Sequence, residues 1–263
     1  MADGGAGQLG AALAFIDGMV EAIADRVIPV PDGCVVRSDE LSNVWSLNHV
    51  RLTRPTSPDT AIRLADEHLA DLSYRHIEVE AESTCHELEA RFLPAGWRED
   101  RYLLMALRGS PPNGAGVAMV VEPEQEETVA LHRRWLSEDP RIGERGVDEL
   151  LEFARRQGAV HREWRFGVRA EDGTLASLTK LWSDGTTAQI EDVYTAPEHR
   201  NRGFARAAVS HAARVGRGAV PGLVFIVADA DDWPQQLYAR IGFRPIGLTC
   251  AFHRELGAPP LVG

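Results

Sequence analysis

The sequence predicts an α/β (α+β) fold in which strands alternate with helices in two successive domains. Strand-like and helix-like hydrophobic patterns alternate along most of the chain. A stretch rich in glycine and proline, RGSPPNGAG at 108–116, interrupts this alternation. With 263 residues, the chain also exceeds the commonest domain size. These three observations predict an N-terminal domain at 1–110 and a C-terminal domain at 115–263.

The N-terminal domain is expected to begin with a helix and to continue as a β-α-β-α-β unit. An apolar stripe of helical period, which includes Phe15 and Met19, predicts the helix, and Pro29 and Pro31 end it. Period-two alternation indicates strands, and Pro58 is suited to the first turn of a helix. The expected elements are strands at 44–53, 74–80 and 99–107 and helices at 56–72 and 83–92.

The C-terminal domain shows the same kinds of pattern. Asp172-Gly173 is a two-residue hairpin signal between two apolar segments. The segment LYARIGF at 237–243 echoes LEAR at 88–91 and the GW that follows at 96–97, which favours an internal duplication. The expected elements are strands at 117–121, 164–168, 176–182, 187–194 and 223–228, a closing strand pair at 244–253, and helices at 124–137, 144–157, 201–214 and 233–241.

Composition narrows the class of protein. The net charge of −11 disfavours binding to nucleic acid and weakly favours a neutral or cationic small partner. We see no apolar run long enough to span a bilayer and no secretory signal, so we expect a cytoplasmic protein without a membrane partner. Cys34, Cys85 and Cys250 are odd in number and far apart, so we expect reduced thiols packed as small hydrophobic side chains and no metal site.

The most informative stretch is QIEDVYTAPEHRNRGFARAA at 189–208, where an apolar strand leads through a turn into a helix. The N–H groups at a helix start have no intrahelical acceptor, the helix dipole adds positive potential, and a glycine lets a phosphate oxygen approach closely. Arg200 and Arg202 would add charge. The turn is therefore a candidate anion site, although an ordinary strand-to-helix turn would have a similar pattern.

Two segments resemble the GNAT superfamily of acyl-CoA-dependent N-acyltransferases. The run RNRGFA at 200–205 is similar to the family's pyrophosphate-binding signature R/Q-x-x-G-x-G/A, and the strand before it is also similar. The segment from Asp231 to Phe243 resembles the family's N-x-x-A-x-x-L-Y-x-x-x-G-F pattern, with Asp231 and Pro234 in place of the usual asparagine and alanine. The resemblance covers 117–254, and it implies the GNAT fold, a central mixed, mostly antiparallel β-sheet flanked by helices.

The segment at 44–107 resembles only a degenerate copy of the same domain. Its equivalent of the phosphate turn, TRPTSPDT at 53–60, has no glycine, and Glu89 stands where the tyrosine is expected. The resemblance therefore implies a tandem GNAT chain whose N-terminal copy does not hold coenzyme A and serves as a scaffold or substrate wall.

The resemblance also implies the reaction, which is direct transfer of an acetyl group from acetyl-CoA to a primary amine of a small molecule or peptide. Glu191 is the candidate base, on a strand face shared with Gln189 and Val193, and Asp192 is its rival. Tyr238 matches the family's acid. The backbone of Val193, Tyr194 and Thr195 would hold the pantetheine arm, and the other expected cofactor contacts are Arg200, Asn201, Arg202, Gly203, Phe204, Ala205 and Asp231.

Two alternatives share these motifs. One is a CoA-binding sensor or partner module that has lost catalysis, and the other is an acyltransferase that uses a longer acyl-CoA. The presence of Glu191 and Tyr238 favours the enzyme. The sequence does not identify the amine, and it is compatible with a monomer or a homodimer.

Overall fold

The computed structural model describes residues 3–111 and 119–256. Most of the predicted boundary segment at 108–116 therefore lies outside the described residues, as does the start of the strand expected at 117–121. The helices are α1 (Asp3–Ile23), α2 (Pro58–His68), α3 (Glu82–Phe92), α4 (Gln125–Leu136), α5 (Gly143–Val160), α6 (Phe204–Ala219) and α7 (Pro234–Ile241). The strands are β1 (Arg26–Val30), β2 (Gly33–Arg37), β3 (His49–Leu52), β4 (Tyr74–Val79), β5 (Arg98–Leu107), β6 (Val120–Val121), β7 (Arg162–Arg169), β8 (Leu175–Ser183), β9 (Ala188–Thr195), β10 (Val224–Asp229) and β11 (Phe243–Glu255).

The chain forms two compact units that interleave along the sequence. Unit 1 comprises Met1–Met19 and Leu103–Gly247, and unit 2 comprises Val20–Tyr102 and Leu248–Gly263. The strands β5 and β11 each pass from one unit to the other along their length. The sequence-based division was linear, whereas each of these units is built from two separate stretches of chain.

Unit 1 contains a mixed sheet with the strand order β5-β10-β9-β8-β7-β6. The strands β6 to β9 form antiparallel neighbours, and β10 lies parallel to β9. The helix α6 packs on one face through buried alanines and Val209, against apolar side chains of the sheet such as Leu181, Ile190 and Val224. The mixed sheet with flanking helices confirms the predicted fold class.

Unit 2 has the strand order β1-β2-β3-β4-β11, in which β3 and β4 are parallel and the other neighbouring pairs are antiparallel. One face of the sheet carries Val50, Leu52, Ile77 and Val79, which pack with α2 and α3 in an apolar core. Strand alternation places the next residues on the opposite face.

That opposite face carries a buried group of polar side chains. His49 and His76 are fully or nearly fully buried, and each places its Nε2 atom 3.5 Å from a carboxylate oxygen of Glu78. Burial lowers the pKa of His49 to about 4, so this imidazole is neutral at pH 7. Burial opposes ionisation of Glu78, but the neighbouring His49, His76 and Arg51 together lower its pKa to about 2.

Three expectations about the elements were wrong. The hairpin β1-β2 was missed because Pro29 was interpreted only as a helix terminator, whereas it lies in β1, an edge strand of unit 2, where proline is tolerated. The closing strand pair is one long strand, β11, which contributes to both units. The helix expected from residue 201 begins at Phe204, because Asn201 and Gly203 have positive φ angles.

The expectation of three reduced thiols was also wrong. Cys85 and Cys250 form a disulfide between residues that are 165 positions apart in the sequence. Cys85 lies on α3, which packs on the sheet of unit 2, and Cys250 pairs with Val79 of β4 in that sheet. The distance along the chain concealed this proximity, because it arises only when β11 joins the sheet.

The helix α1 departs from the expectation that no apolar segment is long enough to span a bilayer. Over Gly5–Ile23 this helix is long and apolar enough to cross a membrane, and 28% of its most apolar stretch is buried within the protein. A single such helix near the N-terminus is weak evidence for a membrane span. Phe15 on α1 stacks on His161 at 4.4 Å and contacts the edge of Phe225 at 5.8 Å between ring centroids, so part of this apolar surface is used in packing.

Candidate active site

A β-bulge in β9 organises the candidate site. Glu191 pairs in register with Lys180 of β8, but the next pair is Tyr194 with Leu178, so β9 has one extra residue between these pairs. Asp192 lies in the bulge with a φ of +53°, a conformation that residues other than glycine rarely adopt. The bulge brings two acidic side chains, which regular alternation would separate, towards the same region.

Glu191 has the environment of a proton-exchanging group. The amide Nε2 of Gln189 donates a hydrogen bond to its Oε1 at 2.5 Å. Burial, followed by the charge of Asp192, raises the pKa of Glu191 to about 7. A carboxyl group with this pKa can both accept and release a proton near neutral pH.

Asp192 is in a different electrostatic environment. Its Oδ2 lies 2.8 Å from the ammonium Nζ of Lys180 and 3.8 Å from Nδ1 of His132 on α4. Burial opposes ionisation of Asp192, but the charges of Lys180 and His132 and the hydrogen bond from Lys180 together lower its pKa. Asp192 is therefore held as a carboxylate at neutral pH.

The predicted strand face around Glu191 was partly wrong. Val193 packs with the apolar core on the α6 side, together with Ile190, rather than sharing a face with Glu191. Asp192 contacts Lys180, the register partner of Glu191, instead of pointing away from it. Both differences follow from the bulge, because one inserted residue reverses the alternation beyond it.

Tyr238 lies on α7, 5% exposed, with its ring in the same apolar core and edge-on to Phe243 at 6.4 Å. Burial, with a further contribution from the charge of Glu191, raises its pKa well above the ordinary value. The phenol therefore keeps its proton at neutral pH and can donate it.

The strands β9 and β10 separate beside Glu191. They pair in parallel at three positions, of which Ile190 with Ile226 is the last. Val193, Tyr194 and Thr195 lie beyond the last of these paired positions. Backbone groups beyond the end of this pairing are the ones to which an extended ligand could bind as an added strand does.

The turn at 200–205 has the local form of an anion site. Gly203 is the N-cap of α6 with a φ of +81°, and Asn201 has a φ of +63°. No side chain caps α6 at Gly203, which leaves its first N–H groups to other acceptors. A Cβ atom added at Gly203 would meet nothing within 4 Å, so open space lies over the helix start.

The remaining predicted cofactor residues differ in how they are held. Arg200 donates from Nε to the carbonyl oxygen of Thr195 at 3.0 Å and lies 3.4 Å from Glu138, which also accepts a hydrogen bond from the Tyr194 hydroxyl. Arg202 is exposed and makes no ion pair within the part of the chain that the structure describes. The half-buried residues Phe204 and Ala205 begin α6, and Asp231 lies in the turn that follows β10.

This arrangement fits an acyl-CoA molecule. The open space over Gly203 and the uncapped start of α6 suit a pyrophosphate, and the pairing of β9 with β10 ends at Ile190, next to Glu191. Among the described residues, no group of three histidine, cysteine, aspartate or glutamate side chains is arranged to hold a metal ion.

Sequence reasoning missed Lys180 and His132. Both are buried, with 4% and 7% of their surfaces exposed, and both face Asp192. Nothing in the sequence around His132 marks it as a site residue. Lys180 could have been noticed, because it is the only lysine among the 28 lysine and arginine residues of the chain.

Comparison with known proteins agrees with the geometry. Residues 165–243 match the model of the acetyltransferase (GNAT) family, and no curated protein sequence matches the chain. A conserved protein of unknown function from Staphylococcus epidermidis is 14% identical with a TM-score of 0.66, and the match covers 89% of this chain and 95% of that one. A GCN5-related N-acetyltransferase from Kribbella flavida is 18% identical with a TM-score of 0.59, over 97% of each chain.

A GCN5-related N-acetyltransferase-like protein from Streptococcus suis is 12% identical with a TM-score of 0.52, over 94% of this chain and 98% of that one. At these identities the structures show a shared fold, and the family model adds the match in sequence. Its range contains the bulged strand, the turn before α6 and the helix α7 that carries Tyr238. The match in sequence to the acetyltransferase (GNAT) family therefore covers residues 165–243, and the solved structures extend the likeness in fold to most of the chain.

Proposed function

We propose that this protein is an N-acetyltransferase that transfers an acetyl group from acetyl-CoA directly to a primary amine of a small molecule or peptide. The observation that carries the proposal is Glu191, a carboxyl group whose pKa lies near 7, at the point where the pairing of β9 with β10 ends. Acyl transfer to an amine requires such a proton acceptor, and Tyr238, a phenol that keeps its proton at neutral pH, is the candidate donor.

Acetyl-CoA supplies the acetyl group as a thioester. Arg202, the N–H groups at the start of α6 and the backbone of Val193 to Thr195 are the groups that would bind it. Glu191 takes a proton from the amine, directly or through a water molecule, as the nitrogen forms a bond to the acetyl carbon. The carbon–sulfur bond breaks, and the Tyr238 hydroxyl gives its proton to the departing sulfur.

The acidity of the site favours an amine as the acceptor. An alkyl ammonium group has an ordinary pKa well above 7, so it must lose a proton before it can attack. Lys180 balances the charge of Asp192, which leaves Glu191 as the carboxyl group available to an approaching cation. The net charge of −11 favours the same class of acceptor over an anionic one.

The experiment that tests the proposal is a screen of amines with acetyl-CoA, in which the release of free thiol is monitored. The Glu191→Gln variant is the matched control, because it separates enzymatic transfer from spontaneous aminolysis. Titration calorimetry should find one acetyl-CoA site per chain. Binding of acetyl-CoA without turnover of any amine would favour the alternative of a CoA-binding sensor, and turnover only with longer acyl-CoA molecules would favour the other alternative.

Cytoplasmic location and assembly as a monomer or homodimer complete the proposal. The disulfide between Cys85 and Cys250 weighs against a cytoplasmic location, because structural disulfides are rare in reducing compartments. Counting free thiols in protein isolated under alkylating conditions would show in which redox state the chain is kept.

A further inference from the structure

Lys180 is unusual in this chain in both identity and position. It is the only lysine, and only 4% of its surface is exposed, although lysine is almost never buried unless it is paired. It lies on β8, directly opposite Glu191 in the register of β8 and β9. Its ammonium group therefore lies inside the candidate active site.

The partner of Lys180 is Asp192, at 2.8 Å between Nζ and Oδ2. The bulge places Asp192 within reach, and without the bulge β9 would turn it to the other face. His132 from α4 approaches the same carboxylate at 3.8 Å. From β7, Arg165 is the register partner of Lys180, and it lies 4.0 Å from Glu163.

Glu191 is surrounded by few compensating groups. Its nearest charged influences are Asp192 on its own strand and Lys180 on β8, and Gln189 is its hydrogen-bond donor. Tyr238 on α7 is neutral at pH 7. Ionising two adjacent, partly buried carboxyl groups together is unfavourable, and a cation next to one of them decides which of the two carries the charge.

We propose that Lys180 is a positioning residue for the transfer reaction, which keeps Asp192 as a carboxylate in the bulge of β9 and thereby leaves Glu191 as the group that exchanges a proton. This inference rests on the proposed function for its catalytic meaning. A lysine suits the role because its ammonium is a compact charge on a flexible stem, whereas the guanidinium of arginine is broad and planar.

The test is a titration of the Glu191 carboxyl by NMR, in protein labelled with ¹³C at the glutamate side-chain carboxyl, with the signal assigned by its loss in Glu191→Gln. In Lys180→Met, the charge of Asp192 is no longer balanced, and we expect the pKa of Glu191 to rise by about one unit or more. In Asp192→Asn, Lys180 is left without its carboxylate beside Glu191, and we expect the pKa of Glu191 to fall.

The double variant Lys180→Met/Asp192→Asn removes both charges and should bring the titration back towards that of the parent. A merely structural role would not produce shifts of opposite sign that cancel in this way. If Lys180→Met does not fold, the Asp192→Asn variant and the double variant still give the comparison. An unchanged titration of Glu191 in Asp192→Asn, or in a folded Lys180→Met, would overturn the inference.

A kinetic measurement separates this inference from the proposed function. With an amine found in the screen, the acid limb of the kcat/KM profile should move in the same directions as the titration, while the KM for acetyl-CoA stays constant. Expected shifts in the titration without turnover of any amine would contradict the proposed function but not the charge pairing. Turnover with no shift in either profile would overturn the inference and leave the proposed function in place.

Discussion

At the scale of single residues, Glu191 and Asp192 show how neighbouring side chains of the same charge acquire different chemistry. Both are partly buried, but only Asp192 has an ammonium group at 2.8 Å. Burial and the charge of Asp192 raise the pKa of Glu191 to about 7, while Lys180 and its neighbours lower that of Asp192. The assignment of the base therefore depends on a cation contributed by the adjacent strand, and not on the sequence of β9 alone.

For Glu191→Gln, we expect kcat at pH 7 to fall by about 10²–10⁴-fold, the usual value of positioned proton transfer. The affinity for coenzyme A should persist, and activity should partly recover at high pH, where the free amine is more abundant. In the parent enzyme, activity should decline as the pH falls below about 7, because Glu191 then takes up a proton and no longer accepts one. Retained activity in the variant at neutral pH would move the assignment to Asp192 or to an ordered water.

For Tyr238→Phe, we expect a loss in kcat near the low end of the same range, about 10²-fold. The ring still fills its place in the apolar core, so folding and the Kd for coenzyme A should be preserved. A thiolate is a good leaving group, which limits the benefit of an acid. Turnover within about threefold of the parent, under conditions where chemistry is rate-limiting, would make Tyr238 a packing residue.

At the scale of elements, the turn between β9 and α6 is the proposed phosphate site, and its form comes from backbone conformation. Gly203 has a positive φ angle at the helix N-cap, and a side chain there would project into open space. Two separate effects of a substitution must therefore be distinguished. One is the strain of a left-handed backbone, and the other is obstruction of the ligand.

We expect Gly203→Val to abolish acetyl-CoA binding in a protein that still folds, as measured by titration calorimetry and circular dichroism. Gly173→Val is the matched control, because Gly173 has a φ of +86°, also has nothing within 4 Å of an added Cβ, and lies in the hairpin between β7 and β8. Gly173→Val should lower the stability of the protein and leave its affinity for acetyl-CoA unchanged. Equal affinity in both variants would remove the support for a phosphate site at this turn.

The polar face of unit 2 predicts an acid-sensitive element. The pKa of His49 is lowered to about 4 in the folded protein, against an unfolded value near 6.5. Between these values the unfolded chain binds a proton that the folded one does not, so the free energy of unfolding should decrease as the pH falls from 6.5 to 4. Urea titrations over this range should show a shallower pH dependence for His49→Leu, whereas replacement of the exposed His86 on α3 should leave the slope as in the parent.

The sequence was most informative where local pattern decides structure. Helices and strands were predicted near their observed positions, and the turn at Gly203 was identified from residue type and spacing. The bulge at Asp192 was not predictable, because its sequence reads as ordinary alternation and the extra residue is accommodated only by the register with Lys180. The disulfide and the contact of His132 with Asp192 could not be predicted either, because both depend on contacts between segments distant in sequence.

At the scale of the whole molecule, the disulfide links α3 to the last strand of unit 2. It closes a loop of 165 residues, and cross-links over long loops restrict the unfolded chain most strongly. We expect Cys85→Ala/Cys250→Ala to lower the free energy of unfolding by about 2–5 kcal/mol, as measured in urea under non-reducing conditions. Equal stability of the parent with and without a reductant would show that this bond does not form in the isolated protein.

The interleaving of the two units has a consequence for synthesis on the ribosome. Unit 2 begins at Val20, yet its sheet includes residues from Leu248 onward, which emerge only after the whole of unit 1 has been translated. The edge of β4 that pairs with β11 therefore stays without its neighbour during most of elongation. A nascent chain arrested before residue 248 should expose this edge, and unit 2 would be completed only after β11 has been translated.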